Sequence, residues 1–326
     1  MESNMNELAN QNEEISAILA RLIDPDPGVR RIAVLDLLDT DDYDLVAPAL
    51  LQALGDQDAS VRAEAAIALE GFETPEIIRG LLMALTDEAP EVAKAAAQSL
   101  AELKSPVTGV LLVTALSTAK GFQKASILRA LRELRVPASL APALAALNDT
   151  DDTVRAAALG VLGYLKAPSA VGPIAVLATS DKAPQVRRIA VGALGFEAAD
   201  LSAILPALIT ALRDEFWQVR EESVATLGKL GMDQGVPYLI EAMMDEYWQV
   251  RLKAARSLGK LRSREAVPVL SKALFHQVSN LRKEAAVALG EVGDARAIPA
   301  LEKALQDPDP DVRKLAGLAL SQITGK

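Results

Sequence analysis

The chain has no cysteine, a single histidine and few aromatic residues among its 326 residues. Without cysteine it cannot form disulfides, thiolate metal sites or iron–sulfur centres, and it has no cysteine nucleophile. Because His276 is the single histidine, motifs that need two histidines are excluded and one imidazole base remains. The sequence therefore predicts no catalytic residue, no metal site and no cofactor of its own.

Aromatic residues make up 3% of the chain, although half of its residues are apolar. Strands are enriched in Tyr, Phe, Trp and Thr, so this composition favours an all-α fold with a core of Ala, Leu, Val and Ile. No apolar run approaches the roughly 20 residues of a membrane span, and the polar, acidic N-terminus is unlike a signal peptide. We therefore expect a soluble, cytoplasmic protein.

The negative charge is concentrated at one end of the chain. Residues 1–60 contain thirteen acidic and three basic residues, whereas the remaining residues contain thirty-one of each, which gives a net charge of −10. Duplex nucleic acids are bound mainly through basic residues that neutralise phosphates. The charge balance therefore argues against general nucleic-acid binding.

A Val-Arg pair, or its counterpart, recurs ten times at spacings of 31–33 residues. In most repeats an aspartate stands six residues before the second position of this pair, and in six repeats a proline stands fourteen residues before it. An Ala-rich stretch follows the pair and ends in Leu-Gly in five repeats. Such regular repetition predicts a solenoid or a related array. The second positions of the pair are Arg30, Arg62, Ala93, Lys124, Arg155, Arg187, Arg220, Arg251, Arg282 and Arg313.

Each repeat predicts a helical hairpin. The proline stands near the start of the first helix, where its missing N–H group costs no hydrogen bond. The aspartate segment caps the second helix, and we expect the glycine of Leu-Gly to end it. Neither helix can bury its apolar stripe alone, so stacked hairpins must share a continuous core. We expect a polar tail over residues 1–13 and a single right-handed α-solenoid of about ten hairpins over residues 14–326.

The proline of the first helix, the aspartate of the turn and the Val-Arg that follows resemble the HEAT-repeat family. The short repeat with D-x-D-x-x-V-R and A-x-A-L-G is most similar to the phycobilisome-lyase-type HEAT-like repeats. The resemblance implies a structural ladder of hydrogen bonds between the aspartates and arginines of neighbouring turns, to which the planar guanidinium is well suited. The residues expected in this ladder are Asp24, Arg30, Asp56, Arg62, Asp149, Arg155, Asp181, Arg187, Asp214, Arg220, Asp245, Arg251, Arg282, Asp307 and Arg313.

Repeats three and four depart from this consensus, because Ala93 and Lys124 replace arginine and Thr118 replaces aspartate. Two interpretations stay open. The stack is altered only locally, or residues 86–135 form a soft joint that lets the two halves of the solenoid change their relative curvature.

Repeats seven and eight read DEFWQVR and DEYWQVR and contain both tryptophans of the chain. Phe216 and Tyr247 stand where four other repeats have a capping aspartate, and Trp217 and Trp248 follow them. Stacked hairpins would bring these rings side by side. The rings either fill a gap between turns or form an exposed patch, and exposed Trp and Tyr are enriched at binding hot spots.

Nine basic residues lie between residues 250 and 284, against two acidic ones. Lys253, Arg256 and Lys260 share one helical face, because they are three and seven residues apart. They form a solvated surface or, together with the tryptophans, a site for an acidic or carboxylate-bearing partner. His276 replaces a turn aspartate, and we expect it to fill that position only. The predicted partner-binding residues are Phe216, Trp217, Gln218, Tyr247, Trp248, Gln249, Lys253, Arg256 and Lys260.

Three functional hypotheses follow. The leading one is a non-catalytic scaffold or adaptor that binds a protein on the concave face of its second helices and on the aromatic patch, and a phycobiliprotein or another acidic protein is one candidate for that partner. The family resemblance implies a second, a bilin lyase or a chaperone for bilins and phycobiliproteins, in which rings stack on a tetrapyrrole and basic residues pair with its propionates. The third is nucleic-acid binding through the basic face of repeats eight and nine, with bases stacked on the rings.

Overall fold

The computed structural model describes residues 15–40, 43–196 and 201–325, and the predicted tail over residues 1–13 lies outside them. Over these ranges every regular element is a helix, and the helices alternate as the first and second members of hairpins. The prediction of an all-α fold built from about ten helical hairpins is thereby confirmed.

Odd-numbered helices are the first members of the hairpins and even-numbered helices are the second members. The first helices are α1 (residues 15–21), α3 (Tyr43–Ala53), α5 (Pro75–Ala84), α7 (Gly109–Ala115), α9 (Leu140–Ala146), α11 (Val171–Ser180), α13 (Leu201–Ala211), α15 (Val236–Ala242), α17 (Val267–Ala273) and α19 (Ile298–Ala304). The second helices are α2 (Pro27–Leu37), α4 (Ala59–Ala68), α6 (Pro90–Ala101), α8 (Gly121–Leu134), α10 (Asp152–Leu165), α12 (Pro184–Leu194), α14 (Trp217–Leu230), α16 (Trp248–Lys260), α18 (Ser279–Val292) and α20 (Pro310–Thr324).

Prolines mark the first helices in two different ways. Pro237, Pro268 and Pro299 are the second residues of α15, α17 and α19, where a backbone N–H group has no helical partner. Pro48 and Pro206 instead lie inside α3 and α13, because these two helices begin about a turn earlier. The expectation of a proline near the helix start is therefore wrong at these two positions.

The chain divides into two compact units between Leu165 and Lys166. Helices α1–α10 belong to the first unit and α11–α20 to the second. Within each unit the second helices pack against one another in chain order, and they do so more extensively than the first helices. Small side chains explain this difference, because the buried face of the second helices is rich in alanine and glycine.

Glycines inside the second helices permit their close approach. Gly228, Gly259 and Gly290 lie within α14, α16 and α18, so the expectation that they end these helices is wrong. A Cβ atom added to Gly259 would lie 2.8 Å from the Cα atom of Ala288 on α18. No side chain fits at that distance, so Gly259 is required by the contact between neighbouring helices.

A different glycine ends α14. Gly231 follows the helix in the left-handed conformation, with a φ of 66°, and its N–H group donates to the carbonyl of Leu227. Residues with a side chain rarely adopt this conformation, so glycine is favoured there.

An Asp–Arg ladder links successive hairpins, and each rung joins a second helix to the turn of the next repeat. In one rung, Arg220 donates from Nε and Nη2 to the two carboxylate oxygens of Asp245, at 2.7 and 3.0 Å. Its Nη1 atom donates to the carbonyl of Asp214 in its own turn, at 2.8 Å. The carboxylate of Asp245 also accepts from the N–H group of Tyr247, at 2.9 Å. One rung therefore fixes two turns at once.

Comparable rungs recur in both units. Lys124 occupies the arginine position of repeat four, and its Nζ atom lies 2.8 Å from the carboxylate of Asp149. Rungs in which a basic side chain bonds to an aspartate of the next repeat include Arg30–Asp56, Arg62–Asp87, Lys124–Asp149, Arg187–Asp214, Arg220–Asp245 and Arg282–Asp307.

Several ladder residues also bond within their own turns. Arg155 and Arg313 each donate to two backbone carbonyls of their turns, and Asp24 and Asp181 each accept from the N–H group two residues later. The rung between α6 and α8 cannot form, because Ala93 and Thr118 stand in the two positions. In their place, the side-chain amide of Gln123 donates to the carbonyl of Leu82 at 3.2 Å. A soft joint over residues 86–135 stays a prediction.

We expect Gly259→Ala to destabilise the protein by about 1–3 kcal/mol, because the new methyl group would overlap the backbone of α18. The matched control is Gly172→Ala in α11, where no atom lies within 4 Å of an added Cβ. There the higher helix propensity of alanine should stabilise the protein by up to about 1 kcal/mol. Urea unfolding of both variants measures the difference, and equal effects would contradict the role given to Gly259.

Candidate partner-binding surface

The four aromatic residues of repeats seven and eight lie where α14 and α16 begin. Phe216 and Tyr247 occupy the N-cap positions of these helices but make no side-chain capping hydrogen bond. Trp217 and Trp248 are the first helical residues, and both side chains are half-buried. An aromatic ring therefore stands at the N-cap position where four other repeats have an aspartate.

Two of these rings cover arginines of the ladder. The guanidinium carbon of Arg187 lies 5.5 Å from the ring centroid of Phe216, and that of Arg220 lies 5.6 Å from the centroid of Tyr247. At such distances a guanidinium is attracted to the face of the ring. Phe216 and Tyr247 nevertheless remain 40% and 39% exposed. The rings therefore stabilise the turns and present apolar surface to the solvent.

Trp217 extends this arrangement across the two repeats. Its ring stacks on that of Tyr247, with centroids 5.6 Å apart and planes inclined by 16°. Tyr247 is thus in contact with both the guanidinium of Arg220 and the ring of Trp217, and these contacts join α14 to the start of α16. Trp248 has no such ring contact among residues 201–325. We call Phe216, Trp217, Tyr247 and Trp248 the aromatic patch.

Hydrogen bonds to buried aspartates affect the pKa of the two arginines that lie next to the patch. The hydrogen bonds to Asp214 and Asp245 raise the pKa of Arg187 and Arg220, respectively, above the ordinary value for arginine. Both arginines and their aspartates are about nine-tenths buried, so these bonds are poorly screened by solvent. Both guanidinium groups beneath the rings are therefore charged at neutral pH.

The two glutamines of the patch motif differ in environment. Gln218 is exposed on α14. Gln249 is half-buried on α16, and its side-chain oxygen is buried without a hydrogen-bond partner in the described chain. Only Gln218 therefore offers a side-chain amide freely to a partner.

The basic residues of α16 do not share one environment. Arg256 donates from Nε and Nη2 to the two carboxylate oxygens of Glu284 on α18, at 2.9 and 2.7 Å. Lys253 lies near Glu222, and burial raises the pKa of this glutamate. Lys260 is exposed at the last residue of α16, twelve residues after Trp248, which corresponds to about 18 Å along a helix. The structure therefore does not bring the aromatic patch and Lys260 together.

His276 forms an unusual rung between repeats eight and nine. Its Nδ1 atom lies 3.0 Å from the N–H group of Val278, and its Nε2 atom lies 2.9 Å from Nη2 of Arg251. Both neighbours are N–H donors, whereas a neutral imidazole can accept at only one nitrogen. The Nε atom of Arg251 is buried without a partner in the described chain. His276 therefore fills the position of the aspartate without supplying its charge or its two acceptors.

The described residues hold no group of three or more His, Cys, Asp or Glu side chains placed to bind a metal ion. No described helix is long and apolar enough to cross a bilayer.

Comparisons with known proteins address the repeats directly. A family model described as HEAT repeats matches residues 47–132, 138–200, 173–248 and 236–321. No curated protein sequence matches the chain significantly.

Solved structures share the fold at low sequence identity. An engineered protein is 22% identical with a TM-score of 0.53, and the alignment covers 95% of this chain and 98% of that chain. Kap95p, in a structure with RanGDP, has 17% sequence identity and a TM-score of 0.64, and the alignment covers 95% of this chain and 50% of that chain. The karyopherin Kap121p, bound to the extreme C-terminus of the protein phosphatase Cdc14p, has 15% sequence identity and a TM-score of 0.59, and the alignment covers 96% of this chain and 42% of that chain. The chain thus spans about half or less of these karyopherins.

Protonation of His276 should make stability depend on pH near neutrality. Burial, Arg251 and Arg282 lower the pKa of His276 below its ordinary value of 6.5. The unfolded chain then takes up a proton first as the pH falls, so stability is present above about pH 6.5 and decreases below it. His276→Asp should remove this dependence between about pH 7.5 and 5.5. Thermal unfolding measured across this range checks the prediction, and the same slope in both proteins would contradict it.

Proposed function

Because the chain belongs to the HEAT-repeat family, we propose that it is a non-catalytic scaffold that binds a partner protein at the aromatic patch. The observation that carries this proposal is that Tyr247 both stacks with Trp217 and contacts the guanidinium of Arg220. These contacts hold large rings in one orientation at the surface, so little conformational entropy is lost when a partner covers them. Tyr and Trp are also among the residues that contribute most to protein–protein affinity.

The structural neighbours support a protein partner. The karyopherin Kap121p carries the C-terminus of a phosphatase, and Kap95p binds RanGDP. Both are chains of the same fold that bind another protein. The likeness is one of fold, so the partner of this chain must be argued from its own side chains.

Two other candidate functions have less support. A bilin lyase or bilin chaperone would need two basic residues next to the rings, one for each propionate of the tetrapyrrole. Arg251, three residues after Trp248 on α16, supplies one of them. Arg256 is already bonded to Glu284, and Lys260 lies at the far end of α16. For nucleic-acid binding through repeats eight and nine, the pairing of Lys283 with Asp309 and Asp311, at 3.1 and 3.0 Å, and of Arg256 with Glu284 removes two of the cations that would contact phosphates.

Truncating both tryptophans should remove the partner. We expect Trp217→Ala combined with Trp248→Ala to weaken partner binding at least thirtyfold, which corresponds to about 2 kcal/mol, the loss typical of one hot-spot residue. The protein serves as bait in a lysate of its source organism, and mass spectrometry and an absorption spectrum identify what each bait retains. The absorption spectrum detects a bilin if one is retained.

Phe122→Ala is the matched control, because Phe122 is a comparably exposed ring at the start of α8 in the other unit. Circular dichroism verifies that each variant is folded. Retention of the same proteins by all three baits would show that the patch is structural and that the proposed function is wrong at this site.

A further inference from the structure

The turn of repeat nine lacks two groups that the turns of repeats seven and eight provide. Residues 214–217 read Asp-Glu-Phe-Trp and residues 245–248 read Asp-Glu-Tyr-Trp, whereas residues 276–279 read His-Gln-Val-Ser. At the positions that Asp245, Glu246 and Tyr247 occupy in repeat eight, the turn of repeat nine therefore has neither a carboxylate nor an aromatic ring. Repeat eight nevertheless retains Arg251 and Trp248. The corresponding Arg220 and Trp217 of repeat seven contact the carboxylates and the ring of the following turn.

Arg251 is the residue that the missing carboxylates would contact. In the two preceding rungs, Arg187 and Arg220 each bond to an aspartate and also lie 3.5 Å from the carboxylate of a glutamate, Glu215 or Glu246. These glutamate side chains are 76% and 75% exposed, so a carboxylate reaches Nη2 of the arginine from the solvent side. At the corresponding position Arg251 has the neutral Gln277. Its guanidinium has no carboxylate partner in residues 201–325.

Trp248 is the residue on which the missing ring would stack. Trp217 stacks on Tyr247 of the following repeat, and the residue of repeat nine that corresponds to Tyr247 is Val278. Trp248 therefore has no aromatic partner in residues 201–325. Trp248 and Arg251 are three residues apart on α16, so they lie on the same face of this helix.

We propose that Trp248, Arg251, His276 and Gln277 bind an acidic-aromatic segment of the partner protein, which supplies the carboxylate and the ring that residues 276–278 lack. The carboxylate of the segment contacts Nη2 of Arg251 from the solvent side, as Glu246 contacts Arg220. An aromatic side chain next to it stacks on Trp248, as Tyr247 stacks on Trp217. Charge-assisted bonds to arginine and offset ring stacking are both strong, orientation-dependent contacts. This inference rests on the proposed function and specifies the chemistry of its partner.

The chain itself supplies the design of the probe. A fluorescein-labelled peptide that contains Asp-Glu-Tyr, flanked by glycine and serine, carries both groups in the order found in repeat eight. Two matched peptides replace Asp-Glu by Asn-Gln or Tyr by Ala. Fluorescence anisotropy should show the first peptide binding roughly tenfold more tightly than either of the others. Equal binding of the three peptides, or binding of none, would overturn the inference.

A variant that completes the ladder tests the same site with substitutions that we expect to stabilise the fold. His276→Asp combined with Gln277→Glu gives Arg251 the two carboxylates that Arg220 has, so it should raise the melting temperature and weaken peptide binding roughly tenfold. Thr118→Asp is the control, because it restores an aspartate at the same repeat position in the other unit, where Ala93 offers no arginine. It should leave peptide binding unchanged. Unchanged binding by the His276 and Gln277 variant would also overturn the inference.

The lysate experiment separates this inference from the proposed function. If the bait with His276→Asp and Gln277→Glu retains the proteins that the double tryptophan variant loses, the patch binds a partner but the acidic-aromatic chemistry is wrong. If both variants lose them while Thr118→Asp retains them, the inference is supported. If no bait retains any protein that depends on the tryptophans, the proposed function fails as well.

Discussion

The contact between the guanidinium of one repeat and the carboxylate of the next is the interaction on which the architecture depends. In a rung such as Arg220–Asp245, the arginine closes its own turn through a backbone carbonyl and reaches the following turn through two further bonds. The aspartate in turn accepts from the backbone where the next second helix begins. Because every group in the rung has a partner, two charges are buried without being left unsatisfied.

The same ladder explains where a binding surface can arise. Phe216 and Tyr247 lie on the guanidinium groups of Arg187 and Arg220, which are held by hydrogen bonds to aspartates of the next repeat. Contact with these guanidinium groups positions the two exposed rings. In repeat nine the acid and the ring are both replaced, and the arginine and tryptophan of repeat eight keep their positions. A departure from the repeat consensus therefore leaves defined groups without their partners. We propose that a second protein contacts those groups.

Much of this architecture could be predicted from the sequence, because its cause is local and repeated. The spacing of Asp and Val-Arg places the turns, and alternating helices follow from apolar periodicity. The function of Gly259 could not be predicted, since it depends on the distance to the backbone of α18. The bond between Arg256 and Glu284 joins residues 28 apart on different helices. The sequence shows a basic face there, and only the packing of α16 on α18 shows that one of its charges is neutralised.

A double-mutant cycle on one rung tests the central claim most directly. Arg220→Ala, Asp245→Ala and the double variant would be unfolded in urea, and the coupling energy obtained from the four free energies of unfolding. Because both side chains are about 10% exposed and joined by two charge-assisted bonds, we expect a coupling of about 2 kcal/mol. A coupling below about 0.5 kcal/mol, as for an exposed ion pair, would contradict the account.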